Sequence, residues 1–366
     1  MDFSFSDDQI ELRALAARIL TDRCSPAALK QFASSGHAFD TRAWGDLYDA
    51  GLCSLHLPEN VGGAGLGFVE LAIVLEEVGR RVAPVPLWGH SIATWAVARF
   101  GDGERVAAVD AAAPWALGLH EALGDPHTPS TAASQTAGGW KLDGGKDFVW
   151  DAAGASTIVV SARLDDGSLA LVEVDPGAPG VALAPLTTPT GYSRSQVRFS
   201  GVEVGADRMT RLTPAEFDLV LQHAIVGLCS LGVGALEEAL RLTADYAKER
   251  QQFDKPIGTF QAVAQRAADA HIDTEAVRLT SRHAAWRLDT GRDCRSETAV
   301  AKYWLSEGGA RVMLAAHHLH GGVGVDRDYP LPRYFFLMKE LELLLGGATL
   351  QLRELGRVLA GAATPA

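Results

Sequence analysis

The residues of this chain that are able to do chemistry are few and widely spaced. The run HGGVGVDRDYP at 320–330 sets two glycines beside a histidine, which lets a backbone approach a phosphate closely. It lacks the GxGxxG spacing and the preceding strand of a dinucleotide fold. Gly62 to Gly67 form a second glycine-rich stretch, which reads as a plain turn because no P-loop lysine and hydroxyl follow it. Cys24, Cys53, Cys229 and Cys294 contain no CxxC pair, so neither a zinc site nor a disulfide framework is indicated. The remaining feature is LLLGGATLQLRELGR, Leu343 to Arg357. Its helical pattern is broken by Gly346 and Gly347, each of which costs roughly 1 kcal/mol relative to alanine inside a helix. Two adjacent glycines there need a reason.

Composition limits what such residues serve. The 366 residues, 47% hydrophobic and 21% charged, describe a globular chain with a large core and room for two or three domains. With 33 basic residues against 45 acidic ones, a net charge of −12 argues against nucleic acid as a partner. The N-terminus MDFSFSDDQIELRALA carries acids where a signal peptide carries cations, and no uninterrupted run of about 18 apolar residues occurs. The expectation is a cytoplasmic protein with no membrane partner and reduced cysteines.

Three zones must position the chemistry. Residues 1–113 are helical in pattern: Ser6 and Gln9 make a capping box ahead of Ile10, Leu12, Leu15 and Ile19. The segment ending in EEVGRR predicts another helix with its charged end on the surface. Residues 114–207 switch to short valine-rich runs, TIVVSAR, SLALVEVD, VALAPL and SQVRFSGVEV, separated by turn signals such as Asp165-Asp166-Gly167 and Asp175-Pro176-Gly177. They predict a small antiparallel β domain, with WKLDGGKDFVWD as a hairpin turning at Asp143 to Gly145. In 208–366 helices return. Val263, Ala267, Ala270, Thr274, Val277, Ser281, Ala284 and Leu288 recur at spacings of three and four, a seam small enough for close helix packing in a bundle extended by intersubunit contacts. The fold class expected is mainly α with a central β domain.

YAKERQQFDKPIGTFQAVAQRAAD at 246–269 and HLHGGVGVDRDYPLPRYFFLMKELELLLGGATLQLRELGR at 318–357 closely resemble the two signature regions of the FAD-dependent acyl-CoA dehydrogenases. PENVGGAGLG, WKLDGGKDFVWD and SQVRFSGVEV fall in the same family order, so the resemblance covers almost the whole chain. It implies a helical N-domain, an antiparallel β middle domain and a C-terminal four-helix bundle. It also implies a carboxylate that removes the proton α to a CoA thioester while hydride passes from the β carbon to flavin. That base, usually glutamate, falls at Gly346; in relatives that place it on a helix instead it falls at Ala224. Neither accepts a proton, and His223 points about 100° away from Ala224 on a helix.

The flavin-ring region departs as well: GLHEALGDP at 118–126 and Phe148-Val149-Trp150 stand where the family has hydroxyl-bearing residues, and Ala348 and Leu350 replace polar ones. The ADP side matches. By resemblance, Arg250, Phe253, Gln261, His318, Gly321 and Gly322 reach across a subunit interface to the neighbour's FAD, with His318 in place of a common glutamine. Arg250 offers a planar fork for pyrophosphate and Phe253 an apolar wall. The chain is most similar to the non-catalytic subunit of heterotetrameric α2β2 dehydrogenases of bacterial steroid side-chain degradation. The implied partners are a catalytic acyl-CoA dehydrogenase paralogue, the acyl-CoA substrate of the complex, and an electron-transfer flavoprotein. Two alternatives stand beside this. One is a homomeric dehydrogenase with an unconventional base, His223, Asp151 or Asp218; the other is a non-enzymatic acyl-CoA-binding scaffold.

Overall fold

The structure is a computed structural model that describes residues 4–101, 103–107, 113–122 and 124–362. In chain order these form helices α1 (Asp7–Arg23), α2 (Pro26–Ala33), α3 (Thr41–Asp49), α4 (Phe68–Arg81), α5 (Leu87–Phe100) and α6 (Gly103–Ala107). Strands β1 (Trp115–Gly118), β2 (Ala132–Thr136), β3 (Gly139–Trp150), β4 (Thr157–Leu164), β5 (Leu169–Val174), β6 (Val181–Pro185), β7 (Arg194–Val204) and β8 (Met209–Leu212) follow. The chain then forms α7 (Pro214–Glu249), a small hairpin β9 (Gln251–Gln252) and β10 (Lys255–Pro256), α8 (Gln261–Asp289), α9 (Arg295–His320), α10 (Leu331–Leu343) and α11 (Ala348–Ala362). By internal contacts the chain divides into a helical unit, residues 1–26, 72–83 and 225–366, and a second unit, 27–71 and 84–224, that holds the sheet.

In the second unit the strand order is β6-β7-β3-β2-β4-β5-β8, with β1 also paired to β4. The antiparallel expectation needs correction here. Both β1 and β2 run parallel to β4, one after the other: Trp115 pairs with Thr157, and Ala132 with Arg163. β4 is long enough to take two short strands along one edge while β5 lies antiparallel on the other. It is buried on both faces except at Arg163, which explains the consecutive apolar residues Ile158, Val159 and Val160. Ile158, Val160, Ala162, Val172, Val174, Val197 and Phe199 share one core, and burying each large aliphatic side chain contributes about 1.5–3 kcal/mol. The expected turn at Asp143 to Gly145 is also overturned. β3 passes through it as one strand, the register shifting between Leu142 and Gly144. Gly144 has φ +125°, and a side chain there would meet the Thr131 backbone at 2.8 Å. This glycine serves a bulge rather than a hairpin turn.

In the helical unit α1 begins as its sequence predicts, with Ser6 Oγ accepting from the Gln9 N–H and Gln9 Oε1 from the Ser6 N–H. The small-residue seam of α8 is buried from Ala270 to Leu288. Glycines also set the crossing of α4 on α7: a Cβ at Gly79 would lie 1.9 Å from the Leu231 carbonyl oxygen, and one at Gly234 1.7 Å from that of Glu76. Only bare backbone allows such an approach. The expected surface end of α4 is inside instead. Glu76 is buried and held by both arms of Arg282, and Glu77 is buried against Arg13 and Arg80. Buried carboxylates persist when paired in this way. α7 is long and apolar enough to cross a membrane, although 89% of its most apolar window is buried inside the protein. Gln222 and His223 interrupt the run that a search for consecutive apolar residues requires.

Candidate functional site

Arg250 follows the last residue of α7, its N–H bonded to the Tyr246 carbonyl at 2.8 Å. The Ile257 N–H returns to the Arg250 carbonyl at 2.8 Å, closing the β9–β10 hairpin over that end. Phe253 and Asp254 form its two-residue turn with φ +54° and +63°. Positive φ at both central positions matches a type I′ turn, strained for residues with a Cβ. The turn holds Phe253 86% exposed, with the edge of Phe260 beside it at 6.1 Å. Gln261 opens α8, and His318 lies in the last turn of α9; both are exposed. Gly321 and Gly322 follow α9, and Gly321 sits at φ +60°, ψ −136°. A Cβ at either glycine would touch nothing within 4 Å, so backbone is presented to open space.

A stack of Tyr246 on His320, 4.5 Å between centroids, joins the ends of α7 and α9. His320, which the sequence does not single out, is buried, donates through Nδ1 to the Ala316 carbonyl and meets Tyr329 Oη at 3.1 Å. Burial lowers its pKa against the backbone bond that favours the cation. Arg250 and Gly321 therefore share one end of the helical unit. An exposed guanidinium fork, an exposed ring and bare glycine backbone fit a phosphate-and-adenine ligand.

The turn carrying Gly346 is built differently. α10 ends at Leu343, α11 begins at Ala348, and between them Leu345 and Gly346 take φ +58° and +96°. A Cβ at Gly346 would stand 2.3 Å from Leu350 Cδ2 and 3.2 Å from Leu350 Cβ. Buried Gln351 donates to the Leu345 and Gly346 carbonyls at 3.3 and 3.2 Å. Lys302, fully buried, donates to the carbonyls of Leu341 and, at 3.1 Å, Glu342, capping α10 with a cation at the negative end of its dipole. Burial lowers this ammonium to about 8. The backbone is held firmly, with no acid on it.

Ala224 is buried on α7, and its carbonyl accepts the Trp88 indole N–H at 2.9 Å. His223, an unconventional base candidate in the sequence, is enclosed. It is buried, stacks on Trp95 at 3.7 Å, meets the edge of Phe68, and donates to the Leu219 carbonyl at 2.8 Å. Burial pushes its pKa down to about 3, leaving a poor proton acceptor at neutral pH. Asp218 faces His127 at 3.6 Å, and Asp151, at φ +58°, lies 3.7 Å from Arg194. Trp150 is buried between the edge of Trp88, 5.3 Å away, and the Arg194 guanidinium, 4.0 Å over its ring, and its indole N–H has no acceptor.

Sequence reasoning missed a second buried cation. Lys146 Nζ reaches Glu121 Oε1 at 2.6 Å and Ser161 Oγ at 2.9 Å. Glu121 also accepts from the backbone and hydroxyl of Ser130 and Thr131. Against the effect of partial burial, Lys146 and these donors hold its carboxyl low, at about 2. Glu121 of the segment GLHEALGDP thus pins a loop to the sheet.

The chain belongs to the acyl-CoA dehydrogenase family of flavoprotein oxidoreductases. Residues 6–120 match the acyl-CoA dehydrogenase N-terminal domain and 219–360 the C-terminal domain. Similar relatives include acyl-CoA dehydrogenase FadE27 of Mycobacterium tuberculosis, 37% identical and covering 98% of this chain and 99% of the relative. FadE28 of the same organism is 33% identical over 86% of this chain and 91% of its own length. Among solved structures, the ChsE4-ChsE5 complex from Mycobacterium tuberculosis has a chain 36% identical with a TM-score of 0.93, covering 100% of both. The Tcur3481-Tcur3483 steroid ACAD has one at 37% and 0.91, covering 98% of this chain and 99% of that one. The expected family and fold are borne out.

Proposed function

We propose that this chain is the base-lacking subunit of a heteromeric, FAD-dependent acyl-CoA dehydrogenase, paired with a paralogue that carries the catalytic glutamate. Arg250, Phe253, Gln261, Gly321 and Gly322, with His318 beside them, hold the ADP end of the partner's FAD. The flavin supplies the hydride acceptor; this chain fixes its pyrophosphate and covers its adenine. The observation that carries the reading is a contrast within the helical unit: an exposed arginine, aromatic and bare-glycine end beside a catalytic position closed by Leu350. Trp150, walled in by Trp88 and Arg194, argues against a flavin ring in this chain's own second unit. Buried His223, Asp151 beside the Arg194 guanidinium and Asp218 facing the His127 ring argue against a relocated base.

The two structural relatives are a ChsE4-ChsE5 complex and a steroid ACAD of two named components. They support a paralogue partner and a steroid-bearing substrate; the proposed complex is an α2β2 assembly that dehydrogenates a steroid side-chain CoA thioester and passes electrons to an electron-transfer flavoprotein. Soluble cytoplasmic expression is the expected setting. The test is dye-linked oxidation of a steroid-side-chain CoA thioester by this chain alone, by the paralogue alone and by the co-purified pair. Turnover by the pair and none by this chain supports the assignment; turnover by this chain alone overturns it.

A further inference from the structure

Three histidines are packed inside the second unit, and at His90 the bonding requires the neutral ring. His56 Nε2 lies 2.8 Å from the Ser91 carbonyl oxygen. A carbonyl only accepts, so Nε2 carries the proton, and Nδ1 is a lone pair buried without a partner. His90 has the same tautomer for the opposite reason: its Nδ1 accepts the Trp115 N–H at 3.2 Å, tying α5 to the first residue of β1. His223 donates through Nδ1 to the Leu219 carbonyl, and the rings of Trp95 and Phe68 surround it.

What packs around them offers no compensating charge. α3 contributes Trp44, 5.1 Å from His90; the segment 51–58 contributes His56 and buried Cys53, whose thiol burial holds protonated; α4 contributes Phe68. α5 contributes His90, Ser91, Thr94 and Trp95, and Ser91 Oγ is itself buried without a partner. β1 contributes Trp115 and α7 Leu219. Among the described residues the histidine that pairs with carboxylates is His127, with Asp125 and Asp218. The three imidazoles face only one another as titratable cations.

A proton therefore has no acceptable place to go. On His90 it must sit on Nδ1, where the Trp115 N–H already points, setting donor against donor. On His56 it makes a buried cation whose new N–H has no partner among the described residues, and on His223 a buried cation packed against the rings of Trp95 and Phe68. We propose that His56, His90 and His223 form an acid-sensitive latch: proton uptake uncouples α5 from β1 and from the segment 51–58, opening the second unit cooperatively at mildly acidic pH.

Burial lowers the three to about 4, 3 and 3, against about 6.5 in an unfolded chain. A histidine lowered in the fold contributes stability that is present above 6.5 and is lost as pH falls below it. At pH 5 each lowers the folded-to-open ratio about 30-fold relative to pH 7.5, and the three together roughly 25,000-fold. The test is urea unfolding of the full chain between pH 5 and 6, where the slope of the logarithm of the unfolding constant against pH counts protons taken up. His90→Asn keeps an acceptor for Trp115 without titrating, and His223→Phe and His56→Gln serve the same purpose at the other sites. Each is expected to lower the slope by about one proton and to raise stability at pH 5, relative to pH 7.5, about 30-fold. Hydrogen exchange on the parent chain at pH 5 should show β1 and α5 losing protection first. Slopes unchanged in every variant that folds, or acid opening that begins away from β1 and α5, would overturn the latch.

Discussion

Placing a glutamate at position 346 should damage this chain rather than activate it. Gly346 sits at φ +96°, where a residue with a Cβ is strained by about 1–3 kcal/mol. Its Cβ would come within 2.3 Å of Leu350 Cδ2 and 3.2 Å of Leu350 Cβ. The first contact is relieved only if Leu350 leaves its rotamer, at about 0.5–1.5 kcal/mol, and the second, fixed by the α11 backbone, stays tight. Gly346→Glu is thus expected to lose about 2–4 kcal/mol, and Gly346→Ala most of the same, because backbone and Cβ carry the cost. Urea unfolding of the isolated chain measures both, and a dye-reduction assay with acyl-CoA should read zero for each. Adding Leu350→Ala to Gly346→Glu should show a favourable coupling of about 1 kcal/mol in a double-mutant cycle. The reasoning fails if both single variants stay within about 0.5 kcal/mol of the parent, or if Gly346→Glu alone oxidises an acyl-CoA.

Arg250 is exposed, so Arg250→Ala should leave the chain's own stability within about 0.5 kcal/mol. Removing a charge-assisted fork worth about 1.5–3 kcal/mol should weaken FAD retention in the complex about 10- to 150-fold, read by equilibrium dialysis. Glu121→Ala strands the Lys146 ammonium, which is fully buried, and should cost about 3–5 kcal/mol in urea unfolding, whereas Glu121→Ala with Lys146→Met should recover much of it. Lys302 is lowered to about 8, so between about pH 8 and 10.5 the fold binds fewer protons than the unfolded chain and stability rises with pH. From pH 7 to 9 that gain is about 1.4 kcal/mol in the parent chain, and it should be absent from Lys302→Met when urea midpoints are compared.

Local features of the fold were legible in the sequence because their causes lie within a few residues. The Ser6–Gln9 capping box and the α8 seam from Ala270 to Leu288 need only one helix to be recognised. Features that depend on a distant partner were not. Nothing in TIVVSAR states that two separate strands will line one edge of β4 in parallel, and Gly144 signals a turn or a bulge equally until Thr131 is seen against it. Glu76 and Glu77 read as surface acids because Arg282 and Arg13 arrive from 206 and 64 residues away. At the candidate site, residue types were visible at Gly346, Arg250 and Phe253, but the positive φ of the Phe253-Asp254 turn and the closure of position 346 by Leu350 were not. Lys302 and Lys146 went unnoticed because a lysine's ordinary place is the surface, and only tertiary structure shows one capping α10 and the other bound to Glu121.

The most direct measurement of the central claim is flavin stoichiometry by absorbance, with native mass, on this chain expressed alone and co-expressed with its acyl-CoA dehydrogenase paralogue. The account predicts one FAD per pair of unlike chains in an α2β2 assembly, and little or none on this chain alone. One FAD per copy of this chain in isolation would contradict it, and would mean that Trp150 moves aside for a flavin ring.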